Sequence, residues 1–190
     1  LSPPSFYDID FNQNLFFYRN SPHGFSKPIR FPPTISPAFA QFLALFLAEG
    51  DSYFAESGSA YLRFHNTNRT LLNGFANLSS DLFGVNVSSG KSRRSEYRRI
   101  SSLSLAMLLK GMNVSVGKPA RQKDIPNFIL RSSRDVVKRF LQYYFECDGS
   151  IGQRGIELVS ASKELINKIA YLLLRFGIVG RIKEKVVGER

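Results

Sequence analysis

The chain has one cysteine, Cys147, among 190 residues. A single thiol excludes a disulfide framework and a cysteine-based metal site within the chain, and it fits a reducing compartment. Long apolar runs are missing too: none reaches the roughly 18 residues that a membrane span needs. The N-terminus is polar and proline-rich and lacks the pattern of a secretory leader. These absences predict an intracellular protein, in the cytoplasm or nucleoid, or in an organelle matrix if organelle-encoded. Histidine is scarce, and His23 has no partner at metal-ligand spacing. Acids are the most telling shortage. There are 15 Asp and Glu against 26 Lys and Arg, giving a net charge of +11 and a pI near 10.0. Such a balance in one domain's worth of residues is the electrostatic footprint of a nucleic-acid partner. At 43% hydrophobic residues the chain buries a real core, so it is no disordered basic tail.

Two short stretches repeat one pattern. Phe42-Leu43-Ala44-Leu45-Phe46-Leu47-Ala48-Glu49-Gly50 and Phe140-Leu141-Gln142-Tyr143-Tyr144-Phe145-Glu146-Cys147-Asp148-Gly149 are both apolar helical runs ending in a carboxylate and a glycine. The glycine reads as a left-handed helix stop. An acid in the last turn, where the helix dipole is already negative, gains nothing for stability. Two such acids, Glu49 and Asp148, point to a shared divalent cation. Asp51 reads as a local cap or loop residue and Glu146 as facing solvent or a basic neighbour.

The order of elements repeats as well. After Gly50, Ser52 to Glu56 and Ala60 to His65 read as a hairpin around Ser57-Gly58-Ser59, with Tyr61, Arg63 and His65 on one face and Leu62 and Phe64 on the other. A helix follows over 70–83, stopped by Gly84. A second hairpin spans Val85 to Ser101, and a short helix Leu103 to Leu109. After Gly149 come a hairpin (Ser150 to Gln153, Ile156 to Ser160), a helix from Ser162 to Phe176 stopped by Gly177, and a strand from Arg181. Internal duplication of this kind fixes architecture better than one motif.

The paired runs resemble the signatures of the LAGLIDADG homing endonucleases, including the endonuclease domains found inside inteins, over roughly Ala38 to the C-terminus. The resemblance implies an α+β fold, a pseudo-twofold duplicated αββαββα unit whose second repeat lacks its last strand and closing helix. The divisions follow: an N-terminal extended arm or remnant over 1–37, a first repeat over 38–117, a linker over 118–134 and a truncated second repeat over 135–190. Phe6 to Phe11 faintly resembles a strand of intein splicing domains, but neither a starting Cys or Ser nor a closing His-Asn is present, so self-splicing is not expected. Ala44, Ala48 and Cys147 suit close helix crossing, whereas Tyr143 stands where the family prefers glycine.

By that resemblance Glu49 and Asp148 hold Mg²⁺ together with Gly50 and Gly149, with Mn²⁺ or Ca²⁺ able to substitute. Lys123, in a Lys123-Asp124-Ile125-Pro126 block similar to the one preceding the second motif of intein endonucleases, supports catalysis. The plainer alternative for Lys123 is a phosphate contact or a solvated lysine, and Lys118 competes for the role. The sheet face offers Tyr53, Tyr61, Arg63, His65, Arg98, Gln153, Arg181, Lys183 and Lys185 to DNA, and the loops offer Lys91, Arg93, Arg94 and Arg154 to phosphates. A register slip of one residue inverts that face. The expected activity is site-specific cleavage of double-stranded DNA at a long asymmetric target by a monomer. The alternative is a non-cleaving nucleic-acid-binding module on the same scaffold, such as an RNA maturase.

Overall fold

The computed structural model describes residues 7–10, 13–21, 24–93, 95–152 and 155–185. Four short strands come first: β1 (Tyr7–Asp10), β2 (Leu15–Ser21), β3 (Gly24–Phe25) and β4 (Ile29–Arg30). β2 pairs antiparallel with all the others. The segment differs from the loose arm that its sequence suggests, because Phe16 and Ile29 are buried in the common core. It is tied down by Arg30, whose Nη2 donates to the Ser80 carbonyl at 3.1 Å, and by Ser104, whose hydroxyl donates to Lys27 O at 2.8 Å.

The first repeat then runs α1 (Pro37–Glu49), β5 (Gly50–Phe54), β6 (Ala60–Asn66), α2 (Arg69–Phe83), β7 (Val87–Lys91), β8 (Glu96–Ser101) and α3 (Leu103–Gly111). This is the αββαββα order. Ser36 caps α1 by accepting from the Phe39 amide at 3.2 Å, and Pro37 suits the first turn, where its missing N–H costs nothing. From Phe39 to Leu47 every residue except Gln41 is buried. A helix apolar on all sides belongs at the centre of a fold, and α1 sits there. The strands form one antiparallel sheet in the order β5-β6-β8-β7. Along β6, Ala60, Leu62, Phe64 and Asn66 are buried, while Tyr61, Arg63 and His65 face the other way. Phe64 stacks on Phe75 at 5.0 Å and Phe75 on Phe42 at 5.3 Å, joining β6, α2 and α1. Each such ring contributes about 1.5–3 kcal/mol by burial.

A linker with a 3₁₀ turn at Ala120–Gln122 and a short α4 (Asn127–Leu130) leads to α5 (Arg134–Asp148), which packs along α1. The second repeat continues with β9 (Gly149–Gly152), β10 (Gly155–Leu158) and α6 (Lys163–Leu174). Gly84 and Gly177 adopt positive φ at 65° and 74°, as helix stops should. Residues 178–185 carry no regular element, so the strand expected from Arg181 is absent there; its alternating pattern finds no strand to pair with among the described residues. β9 and β10 accordingly form a two-stranded sheet, with the paired Ile151 and Ile156 at 91% and 71% exposure.

Gly50 and Gly149 require a correction. Neither is left-handed: φ/ψ are −87°/149° and −79°/146°, extended backbone open to any residue. A Cβ on Gly50 would instead run into the Phe46 carbonyl and ring, and one on Gly149 into the Phe145 carbonyl. Glycine is needed for close approach, because the chain turns straight from helix end into strand.

Candidate active site and nucleic-acid face

Because α1 and α5 lie together, their last residues bring Glu49 and Asp148 to one place. Burial raises the pKa of both carboxyls; the Asp148 charge raises Glu49 further, and Lys123 works in the opposite direction on each. Tyr144, one turn before Asp148, is buried, and its hydroxyl works against burial by lowering the Asp148 pKa. Next to Asp148 in the chain, burial pushes the Cys147 thiol up to about 12, and the charges of Glu49 and Asp148 push the same way. Glu146 points outward and is exposed.

The donor set decides which metal fits. Among the described residues no group of three or more His, Cys, Asp or Glu side chains can hold an ion. Two carboxylates are too few for a closed protein cage. They suit Mg²⁺, which keeps several waters and binds through one or two carboxylates and substrate phosphates. Gly50, which the family resemblance implies as part of the metal site, has its carbonyl accepting from the Lys123 ammonium at 3.0 Å.

Lys123 has all three ammonium protons committed. Its Nζ donates to Leu47 O at 2.9 Å, Ala48 O at 3.2 Å and Gly50 O at 3.0 Å. The lysine thus caps the carbonyl end of α1, next to Glu49. Burial pulls its pKa below the ordinary lysine range, against the opposing pull of Asp148, Asp51 and Glu49. A second lysine holds the block in place. Lys168 on α6 donates to Asp124 Oδ2 at 2.6 Å, Ile125 O at 2.9 Å and Asn127 Oδ1 at 3.3 Å. No sequence signal marks Lys168, since nothing local ties it to residues some forty positions earlier. Lys118 is exposed.

On the sheet, Tyr53, Tyr61, Arg63 and His65 share the face away from the helices. Tyr53 stacks on Tyr61 at 5.4 Å, and Tyr53 is 53% exposed. Arg98 does not belong to this face: it has the parity of buried Ile100, and its Nη2 donates to Asn73 Oδ1 on α2 at 3.0 Å. Its neighbours Tyr97 and Arg99, missed in the sequence, occupy the outer face instead. Buried Ile100 two residues on was the signal that fixes the parity. Asp51 is also displaced from its expected role. It lies in β5 opposite Arg63, receives Arg63 Nε and Nη2 at 3.0 Å each, and meets His65 Nε2 at 2.9 Å. Lys91 ends β7 rather than sitting in the turn, and both it and Arg93 are exposed. Arg181, Lys183 and Lys185 are exposed in the irregular segment, away from any strand. Arg94, Gln153 and Arg154 lie outside the described residues.

A central pair of helices, each ending in a carboxylate and running straight into an antiparallel hairpin, defines a duplicated α+β fold, and comparison bears this out. The homing endonuclease I-DmoI in complex with DNA and Mn superposes with a TM-score of 0.61 over 79% of this chain and 83% of that one, at 14% identity. Residues 135–190 match the family described as LAGLIDADG-like domain. The chain has the LAGLIDADG homing endonuclease fold. Among sequence relatives, 86% of the chain is 30% identical to 16% of a component of the A-type ATP synthase of Pyrococcus abyssi. Likewise, 77% of it is 34% identical to 8% of the replication factor C small subunit of Methanocaldococcus jannaschii. The chain therefore spans less than a fifth of either relative.

Proposed function

We propose that the chain is a metal-dependent, site-specific DNA endonuclease of the kind carried as an insertion inside other proteins. The observation that carries this reading is the meeting of Glu49 and Asp148 at paired helix ends, where burial makes two negative charges costly without a cation. The insertion is supported by the relatives: a segment shared by an ATP synthase component and a replication factor, and small in both, belongs to neither activity. Mg²⁺, when bound, lowers the pKa of a water and stabilises the departing 3′ oxygen. The residues around it have separate tasks. Glu49 and Asp148 supply oxygen ligands, Lys123 fixes the end of α1 and adds positive charge next to both, and the basic face of the sheet carries the duplex.

One observation favours a second reading, a non-cleaving module such as a maturase: the Lys123 protons are all engaged, which leaves this lysine none with which to meet a phosphate. Supercoiled plasmids carrying a library of insertion-site sequences separate the two. Linear product with Mg²⁺ that disappears with EDTA, with Ca²⁺, and in Glu49→Gln and Asp148→Asn supports the endonuclease. Tight binding with no cut under any metal overturns it.

A further inference from the structure

We propose that Asp51 is a positioning residue for base recognition: it holds Arg63 so that the outer edge of the guanidinium reads a guanine next to the cleavage position. This rests on the DNA-endonuclease reading and adds to it a residue that sets specificity. Asp51 and Arg63 are direct cross-strand partners, and the carboxylate engages Arg63 side-on through Nε and Nη2 at 3.0 Å each. That leaves the Nη1 edge and one Nη2 proton, and among the described residues no other acceptor takes a proton from Arg63. The remaining edge is the one that pairs bidentately with guanine O6 and N7 in the major groove.

The surroundings hold the guanidinium in place. Arg63 lies over the rings of Tyr61 and Tyr97 at 5.0 and 5.5 Å, and Arg99 lies over Tyr61 at 4.2 Å. His65 Nε2 meets the same Asp51 oxygen that Arg63 Nη2 uses, at 2.9 Å, so Asp51 carries two reading-face side chains at once. Arg63 keeps 30% and Asp51 44% of its side-chain surface, which leaves the cluster open to a ligand. Stability alone gives little reason for the arrangement, since partly exposed ion pairs contribute little. Pre-ordering is the better reason: the arginine loses its rotamer freedom on folding rather than on binding. Position follows from chain geometry. Asp51 is two residues beyond Glu49, and at about 3.3 Å per strand residue and 3.4 Å per base step the contacted base lies within about three base pairs of the cut.

The test is selection from a randomised duplex library in Ca²⁺, followed by sequencing, for the wild type, Asp51→Asn, Asp51→Glu and Arg63→Lys. The wild type should enrich a G·C pair within about three base pairs of the cut. Asp51→Asn and Arg63→Lys should lose that preference roughly ten- to a hundredfold while other positions keep theirs, and Asp51→Glu should retain part of it. Binding of Asp51→Asn to non-specific DNA should be no weaker, because the net charge of +11 rises by one. A merely structural role would lower affinity at all positions together. An Asp51→Asn consensus identical to that of the wild type, or uniformly flattened, overturns the inference and leaves the endonuclease standing. A wild type that selects no motif overturns both. If Asp51→Asn does not fold, Arg63→Lys decides alone: an unchanged guanine preference refutes the assignment.

Discussion

Lys123→Met separates a lysine that acts on substrate from one that holds the site together. Methionine keeps the length and apolar volume of the stem, so the change removes the ammonium without opening a cavity. Three hydrogen bonds are lost, to Leu47 O, Ala48 O and Gly50 O at 2.9, 3.2 and 3.0 Å. The first two acceptors belong to the last turn of α1, whose carbonyls have no helical partner. Taken singly, a hydrogen bond from a charged donor contributes about 1.5–3 kcal/mol. The three do not add, because they share one ammonium and burial already works against its charge. The more secure figure is the cost of orphaned buried carbonyls, about 1–3 kcal/mol each. Water can reach this half-buried corner and relieve part of it, so the net loss should be about 2–4 kcal/mol. In a protein of this length each kcal/mol moves Tm by about 2–4 °C, which gives a drop of roughly 5–15 °C. Circular-dichroism melting without metal measures it, beside plasmid cleavage on the same preparation. A variant that melts within about 2 °C of the wild type yet no longer cuts would refute the capping role and return Lys123 to direct catalysis.

Two further outcomes follow from the acids. Glu49 and Asp148 bind their protons more tightly folded than unfolded, so their stabilising protonation is present below the ordinary values of 4.5 and 3.8 and is lost as pH rises through the raised ones. Metal-free Glu49→Gln should therefore melt higher than the wild type at pH about 7–8 and show a flatter decline from acid to neutral. It should also lose stabilisation by Mg²⁺; a lower melting point with unchanged pH dependence sinks this account. Tyr144→Phe removes only the hydroxyl that opposes the effect of burial on Asp148. The corresponding position in α1 is Leu45, with no hydroxyl to offer, so cleavage should slow unequally, about tenfold or more on one strand. Nicked circles should then accumulate ahead of linear product, and equal slowing of both strands would count against it.

How far the sequence reached depends on the range of the interaction. The paired signature helices were legible because each is a contiguous apolar run closed by an acid and a glycine. Alternation in β6 was legible because Ala60, Leu62 and Phe64 are apolar and Asn66 keeps their period. Arg98 was misplaced because Tyr97, Arg98 and Arg99 are all amphipathic, and only the buried Ile100 beyond them sets the phase. Glycine at positions 50 and 149 was seen, but for the wrong reason: the clash with a carbonyl four residues back depends on how the chain leaves the helix. Asp51 looked like a loop residue because its partners lie across a hairpin. Phe16 and Ile29 were not recognised as core because two-residue and irregular strands carry no period. The Lys168 clamp is a contact between α6 and a linker more than forty residues earlier, and no local pattern encodes it.

The two acids are alike in sequence and unlike in surroundings, and the difference has a structural logic. α1 is buried along most of its length and its carbonyl end is half-buried, and Lys123 of the linker satisfies the carbonyls there from within the protein. That linker is held in turn by Lys168 of α6, through Asp124 and Ile125, and the end of α6 is tied to the end of α4 and the turn before α5 by Arg175, which donates to Leu130 O and Ser132 O at 3.0 and 2.9 Å. The second repeat therefore does more than present Asp148: it braces the element that fixes the end carrying Glu49. α5 is amphipathic, with one face open, and the effect of burial on its acid is opposed from its own helix by the Tyr144 hydroxyl. Damage to α6 should consequently be felt first at Glu49, in the other repeat, while damage to Tyr144 stays local to Asp148. The twofold relation between the helices is thus a relation of backbone, and each carboxylate is placed by a different device.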